Sequence, residues 1–168
     1  MRQKKFKYLG KDAYPQKQVY LGTVITDLTM EEARWSWQPD FEEMLHPHIH
    51  SFSPLRGYDH GEVYSGVITT KCYKDNPLTT DEGIVRQDYA DVESADALVM
   101  MYLGAKARSI GMSGEVAWAW AMHKPIIIIM EESGNPNDHA FIRAQASHRV
   151  TSFSKAADIL NRLLTPGL

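Results

Sequence analysis

Glu115 follows the stretch Gly111, Met112, Ser113 and Gly114 and precedes a run of small residues and two tryptophans, Val116 to Ala121. We read Gly111 to Gly114 as leading into a helix, which puts Glu115 in the first turn. There the macrodipole and unpaired backbone N–H groups favour an ionised carboxylate, and an ionised carboxylate can act as a nucleophile. Gly111 and Gly114 would keep bulk away from the approach, and N–H groups from Met112 to Gly114 could bind a hydroxyl or a phosphate. Glutamate near a helix start is also common because it caps well, so position alone does not assign chemistry. Two other places join it: Tyr20 to Thr23, and Asp88.

The elements that must position these groups can be read from pattern. Gln18 to Thr23 is a short apolar run ending in a loop, a first strand. Thr26 to Glu43 has Asp27 and Thr29 as candidate caps, and Pro39 interrupts it, so a two-piece helix is expected. Ile49 to Ser53 reads as a second strand, and Pro54 to Pro77 as a long loop able to serve as a lid or binding segment. Thr79 and Thr80 open a helix that runs to about Ser94. Asp96 introduces ALVMMYL, the third strand, and Pro125 opens IIIIM, a β-branched run suited to a strand buried on both faces. A short helix near His139 to Ala146, a strand around Arg149 to Ser152 and a last helix capped by Ser154 complete the chain.

This alternation predicts an α/β fold: three layers, a flavodoxin-like doubly wound sheet of about five parallel strands, with right-handed crossovers. Ligands in such sheets bind at the carboxyl ends of the strands. Tyr20 to Thr23, Asp88 and the Gly111 to Glu115 stretch all fall there. We expect residues 1–17 to form a tail and residues 18–168 a single domain.

The 168 residues are 43% hydrophobic and 23% charged with a net charge of −3. That supplies one core, and it lacks the electrostatic footprint of a nucleic-acid binder. One cysteine, Cys72, precludes an internal disulfide and suits a reducing compartment. No apolar run reaches the ~18 residues of a membrane span, and no secretory signal is visible. The expectation is a cytoplasmic protein with no membrane partner.

The chain resembles the nucleoside 2-deoxyribosyltransferase family at several separated places. VYLG at 19–22 is similar to that family's first strand, whose tyrosine lies in the pocket. Asp88, followed by Asp96 in SADALVMMYL, repeats its spacing of aspartates before a hydrophobic strand. GMSGEVAWAWAMHKPIIII resembles the segment holding the nucleophilic glutamate, and the likeness runs in order over about residues 18–160. It implies that Glu115 attacks C1′ and forms a covalent glycosyl-enzyme, and that Asp88 contacts the base and helps proton transfer to its leaving nitrogen. Tyr20 and Gly22 would shape the sugar and base pocket, with Thr23 beside them, and the backbone from Ser109 to Gly114 would hold the sugar. Water or a second nucleobase would resolve the intermediate from the same face.

Two departures stand out. Well-known members have an aspartate six residues before the nucleophile, where this chain has Ser109. Members also take an asparagine from a neighbouring subunit; the matching region here reads Asn137-Asp138-His139-Ala140, so Asn137 and His139 are the candidates. Either would make the active unit a homo-oligomer with shared sites.

His46, His48 and His50 lack the cysteine or paired carboxylate that would complete a tetrahedral set, so no metal is expected, and no cofactor. Arg56 follows the second strand and could bind a 5′-phosphate or pair with a carboxylate. Trp35 and Trp37 could stack a base but fit core or interface packing better. Trp118 and Trp120, two residues apart on a helix, cannot share a face; one belongs to the core and the other to a subunit interface.

Three functions compete. The first is transfer of a 2-deoxyribosyl group between nucleobases, with nucleoside and free nucleobase as partners. The second is hydrolysis of a nucleoside or nucleoside 5′-monophosphate, with Arg56, Arg108 and the helix N-terminus holding phosphate; the Gly-Gly-x-Gly-Thr-x-x-Glu loop of the phosphoribohydrolases that resemble lysine decarboxylases is absent. The third is a nucleotide-sensing module without turnover.

Overall fold

The computed structural model describes residues 16–25, 28–29, 31–55 and 80–166. The predicted lid segment beyond Leu55, Arg56 and Cys72 therefore lie outside the described residues, as does Asp27.

Five parallel strands form one sheet in the order β2-β1-β3-β4-β5: β1 (Lys17–Thr23), β2 (Ile49–Phe52), β3 (Ala97–Met101), β4 (Ile126–Ile129) and β5 (His148–Val150). Strand order reverses between β1 and β3, the switch point at which doubly wound sheets open a crevice. The central strands are paired with Gly22 opposite Met100 and Thr23 opposite Met101. Ile126 to Ile129 are all buried, alternating between the two faces of the sheet. Each such side chain contributes ~1.5–3 kcal/mol on burial.

Helices α2 (Asp81–Ser94), α3 (Ile110–Ala121) and α4 (Ala140–Gln145) cover one face. Tyr20, Leu98, Met100, Tyr102, Ile126 and Ile128 pack beneath them. The other face is covered by α1 (Gln38–Glu43) and α5 (Phe153–Leu164) over Val19, Leu21, Val99 and Ile127. This is the predicted three-layer architecture.

The two-piece first helix has a local cause. Thr29 and Glu32 form a reciprocal capping box, Glu32 accepting from the Thr29 amide at 2.9 Å and Thr29 Oγ1 accepting from the Glu32 amide at 3.2 Å. A π-helical turn follows, Glu31–Trp35. Pro39 then sits in the first turn of α1, where its missing N–H costs nothing. Trp37 is core, stacked on Phe153 at 5.7 Å. The last helix is capped by Ser152, whose hydroxyl accepts from the Lys155 amide, and not by Ser154 as expected. Among the described residues no helix is long and apolar enough to cross a membrane.

Candidate active site

The site is assembled at the carboxyl ends of β1 and β3, under α2 and α3. β1 alternates, so Tyr20 and Gly22 face the α2/α3 layer while Leu21 faces the other. The Tyr20 hydroxyl donates to Oε1 of Glu115 at 3.0 Å, in the buried interior. Gly22 makes the room that this requires: a Cβ there would lie 3.2 Å from Glu115 Oε2 and 2.6 and 2.7 Å from the Met100 tip. Asp88, half-buried on α2, faces the same carboxylate, and its charge acts on both Glu115 and Tyr20.

Glu115 differs from the expectation in two respects. The helix starts five residues earlier than its position, at Ile110 with Ser109 as the cap, so Glu115 lies in the second turn. It is also only 6% exposed. The macrodipole fades within the first turn, and other forces decide its charge. Burial, then the negative charge of Asp88, push its carboxyl up to about 8; the Tyr20 hydrogen bond opposes them, and Asp91 adds to them. Near neutral pH these forces favour the protonated carboxyl, the reverse of what a first-turn position implied. Burial and the charges of Glu115 and Asp88 likewise hold the Tyr20 phenol well above its ordinary range.

The start of α3 is organised by Ser109. Its hydroxyl accepts from the Met112 amide at 3.3 Å and its carbonyl accepts from the Ser113 amide and hydroxyl. The Met112 and Ser113 amides expected to meet a ligand are thus engaged, and the Met112 side chain is buried in the core. The amides of Ile110 and Gly111 make no hydrogen bond among the described residues. Gly111 and Gly114 each face open space where a Cβ would sit. Gly111, four residues before Glu115, lies on the same side of the helix.

Asn137 takes a different place from the one expected. It is 4% exposed, its Oδ1 accepts from the Ser109 amide at 2.7 Å, and its amide group donates to the Ala107 carbonyl at 3.0 Å. Asn135 donates to the Tyr102 carbonyl and to Glu131, and Glu131 accepts from the Gly104 amide. Arg149 ties this loop to β5 through both oxygens of Asp138. Asn137 is spent inside its own chain, as a splint for the cap of α3. His139 is exposed, caps α4 by accepting from the Phe141 amide, and stacks on Phe141.

Thr23 ends β1 on the face opposite Glu115 by strand alternation, buried and with a hydroxyl that has no partner among the described residues. Two residues that the sequence reading did not single out join the site. Asp91 lies three residues beyond Asp88 on α2, a spacing that could have revealed it. Tyr102, just past β3, is raised by burial and by the charge of Glu115. His46 and His48 stack on each other at 5.3 Å before β2, at the far end of the sheet. Among the described residues no group of three or more His, Cys, Asp or Glu is placed to hold a metal.

The chain matches the family model for nucleoside 2-deoxyribosyltransferases over residues 29–158. The chain belongs to the nucleoside 2-deoxyribosyltransferase family. Its fold is shared by solved structures of low identity. A conserved protein of Enterococcus faecalis V583 is 14% identical with a TM-score of 0.60, over 89% of this chain and 99% of that one. The CMP N-glycosidase of Clostridium botulinum is 19% identical, TM-score 0.53, over 88% and 100%. A 2-desoxiribosyltransferase of Leishmania mexicana is 12% identical, TM-score 0.54, over 90% and 99%. No curated protein matches the chain. Family membership supports chemistry of the nucleoside deoxyribosyltransferase type.

Proposed function

We propose that the protein transfers a 2-deoxyribosyl group from one nucleobase to another through a covalent glycosyl intermediate on Glu115. The observation that carries this reading is the carboxylate itself: one oxygen is held by Tyr20, and the other, beside Gly22, has no partner among the described residues. The proton that burial and the Asp88 charge favour on Glu115 must leave before the carboxylate can attack, and we assign Asp88 as the group that takes it. With a nucleoside bound, that proton resides on Asp88 and the charge on Glu115. Oε2 attacks C1′, the C1′–N bond breaks with its electrons going to the base nitrogen, and Asp88 protonates that nitrogen. The acceptor base then attacks C1′ from the same face, loses its proton to Asp88 and releases Glu115, so configuration is retained.

Hydrolysis of a nucleoside 5′-monophosphate is the second reading. It is favoured by the neutral cap Ser109 and the unpaired Ile110 and Gly111 amides, which suit an anion better than a carboxylate cap would. Arg108, exposed, donates to the Pro136 carbonyl beside them.

We also propose that the active unit is a homo-oligomer. Ile110, Phe141 and Trp120 are 89%, 70% and 57% exposed on α3 and α4, and a second copy would cover them. Of the two candidates for a residue shared with a neighbouring subunit, His139 is the one this reading keeps, because it lies on the surface beside Phe141.

Incubation with deoxynucleosides, with and without a free acceptor base, separates these readings on chromatography. A new nucleoside formed only with acceptor supports transfer. Base release without exchange, and only from 5′-monophosphates, replaces it with hydrolysis. No turnover of any nucleoside or nucleotide leaves the sensing module. Light scattering at several concentrations reports the assembly.

A further inference from the structure

Buried polar atoms nearly always have a partner, and an exception calls for a reason. Among the described residues three buried side-chain oxygens have none: Thr23 Oγ1, Tyr102 OH and Glu115 Oε2. The last two belong to one place. Tyr102 continues the alternation of Leu98 and Met100 and so enters the same layer as Tyr20, Met112 and Val116, below α3. Met100, two residues before it, touches the space at Gly22, which Glu115 Oε2 borders from the other side. Among the described residues, the titratable groups facing Glu115 are Tyr20 from β1, Asp88 and Asp91 from α2, and Tyr102 from the segment after β3.

We propose that Tyr102 is a positioning residue for Glu115: its hydroxyl is the second donor to the carboxylate, on Oε2, in the state in which Glu115 carries the charge. In the resting state Oε2 bears a proton or faces an empty partner, and the phenol waits unpaired. As the proton moves to Asp88, Oε2 becomes an acceptor and Tyr102 supplies the hydrogen bond. Two phenols, Tyr20 on Oε1 and Tyr102 on Oε2, then hold the nucleophile. A hydrogen bond to a charged group is about twice as strong as a neutral one, so this contact forms selectively in the charged state. The inference rests on Glu115 as the nucleophile.

The test uses the full chain with carbon-13 in its glutamate carboxyls, Glu115 being assigned by its loss in Glu115→Gln. In Tyr102→Phe the Glu115 titration midpoint is expected to rise by about one pH unit. Turnover of a deoxynucleoside at pH 7 is expected to fall roughly tenfold in kcat with little change in KM. Because the hydroxyl is unpaired at rest, the variant should melt no lower than the parent. Placing 3-fluorotyrosine at 102, a stronger donor, should lower the midpoint. An unmoved midpoint in both variants, or a clear drop in melting temperature for Tyr102→Phe, overturns the proposal. If the midpoint moves while no nucleoside turns over, the phenol role stands and the transfer reading falls; an unmoved midpoint with intact transfer does the reverse.

Discussion

The Tyr20 hydroxyl and Glu115 Oε1 meet at 3.0 Å across 95 positions of the chain, joining the first strand to the third helix. One phenol is not enough to keep the carboxylate charged: burial and Asp88 outweigh it and carry the group up to about 8. The fold therefore favours a proton on the group that the proposed reaction uses as its nucleophile.

That proton has a stability signature. Because the folded-state value lies above the unfolded one, its stabilising effect is complete below the ordinary glutamate value of 4.5 and is lost as pH rises to about 8. Glu115→Gln removes the ionisation and nearly keeps the shape. It should match the parent in melting temperature near pH 4.5 and exceed it above pH 8 by several degrees, on the order of a few kcal/mol. Thermal melts across pH check this, and the variant should be inactive throughout.

Asp88→Asn should separate the two carboxylates. With that charge gone, the Glu115 midpoint falls from about 8 toward its ordinary range. The parent should show kcat/KM declining above about 8, as Glu115 loses the proton that the proposed reaction hands to Asp88. In the variant that limb should vanish and kcat drop about 100-fold or more, the usual weight of a general acid. A change confined to KM would contradict the proton-transfer role.

Gly22→Ala should cost activity more than stability. The Met100 tip, 2.6 Å from the new methyl, can swing aside; the carboxylate, 3.2 Å away and fixed by Tyr20, can retreat only by giving up its position. We expect a loss of ~1–3 kcal/mol by denaturant melts and a fall in kcat of more than tenfold, the response to a nucleophile moved by a fraction of its reach.

Asn137→Ala should loosen the cap of α3 from a distance. The Ser109 amide and the Ala107 carbonyl lose their partner together, which costs ~1–3 kcal/mol for buried groups. Mixing this variant with Glu115→Gln should restore no activity, because Asn137 serves its own chain. Restored activity in the mixture would return it to a neighbouring site.

Much of the architecture was readable from pattern because its signals are strong. IIII behind a proline, ALVMM behind Asp96 and the Thr80 cap each specify an element locally, and β1 and β3 bring Tyr20 and Gly22 to the predicted end of the sheet. The state of Glu115 was not readable. Its helix begins at Ser109 because that serine caps Met112, a choice that the glycines at 111 and 114 disguised as a loop. Its charge depends on how deeply Tyr20, Asp88 and α3 enclose it, a property of packing and not of spacing. Asn137 shows the same limit: the sequence displayed an asparagine near the right register, but only the folded loop shows both ends of its amide occupied by Ser109 and Ala107. Tyr102 read as the end of a hydrophobic strand, and nothing in ALVMMY distinguishes its hydroxyl from another buried tyrosine.

At the amino-terminal edge of the sheet, Asp96 accepts from the Gln18 amide at 2.8 Å and from the Lys17 ammonium at 3.0 Å. Those bonds fasten the two central strands in one alignment. Were they to slide by a single position, every side chain of β1 would turn over: Leu21 would take the place of the phenol, and the gap left by the missing side chain of Gly22 would open onto the wrong layer. A carboxylate far from the chemistry thus acts as the key that keeps Tyr20 on the reacting side.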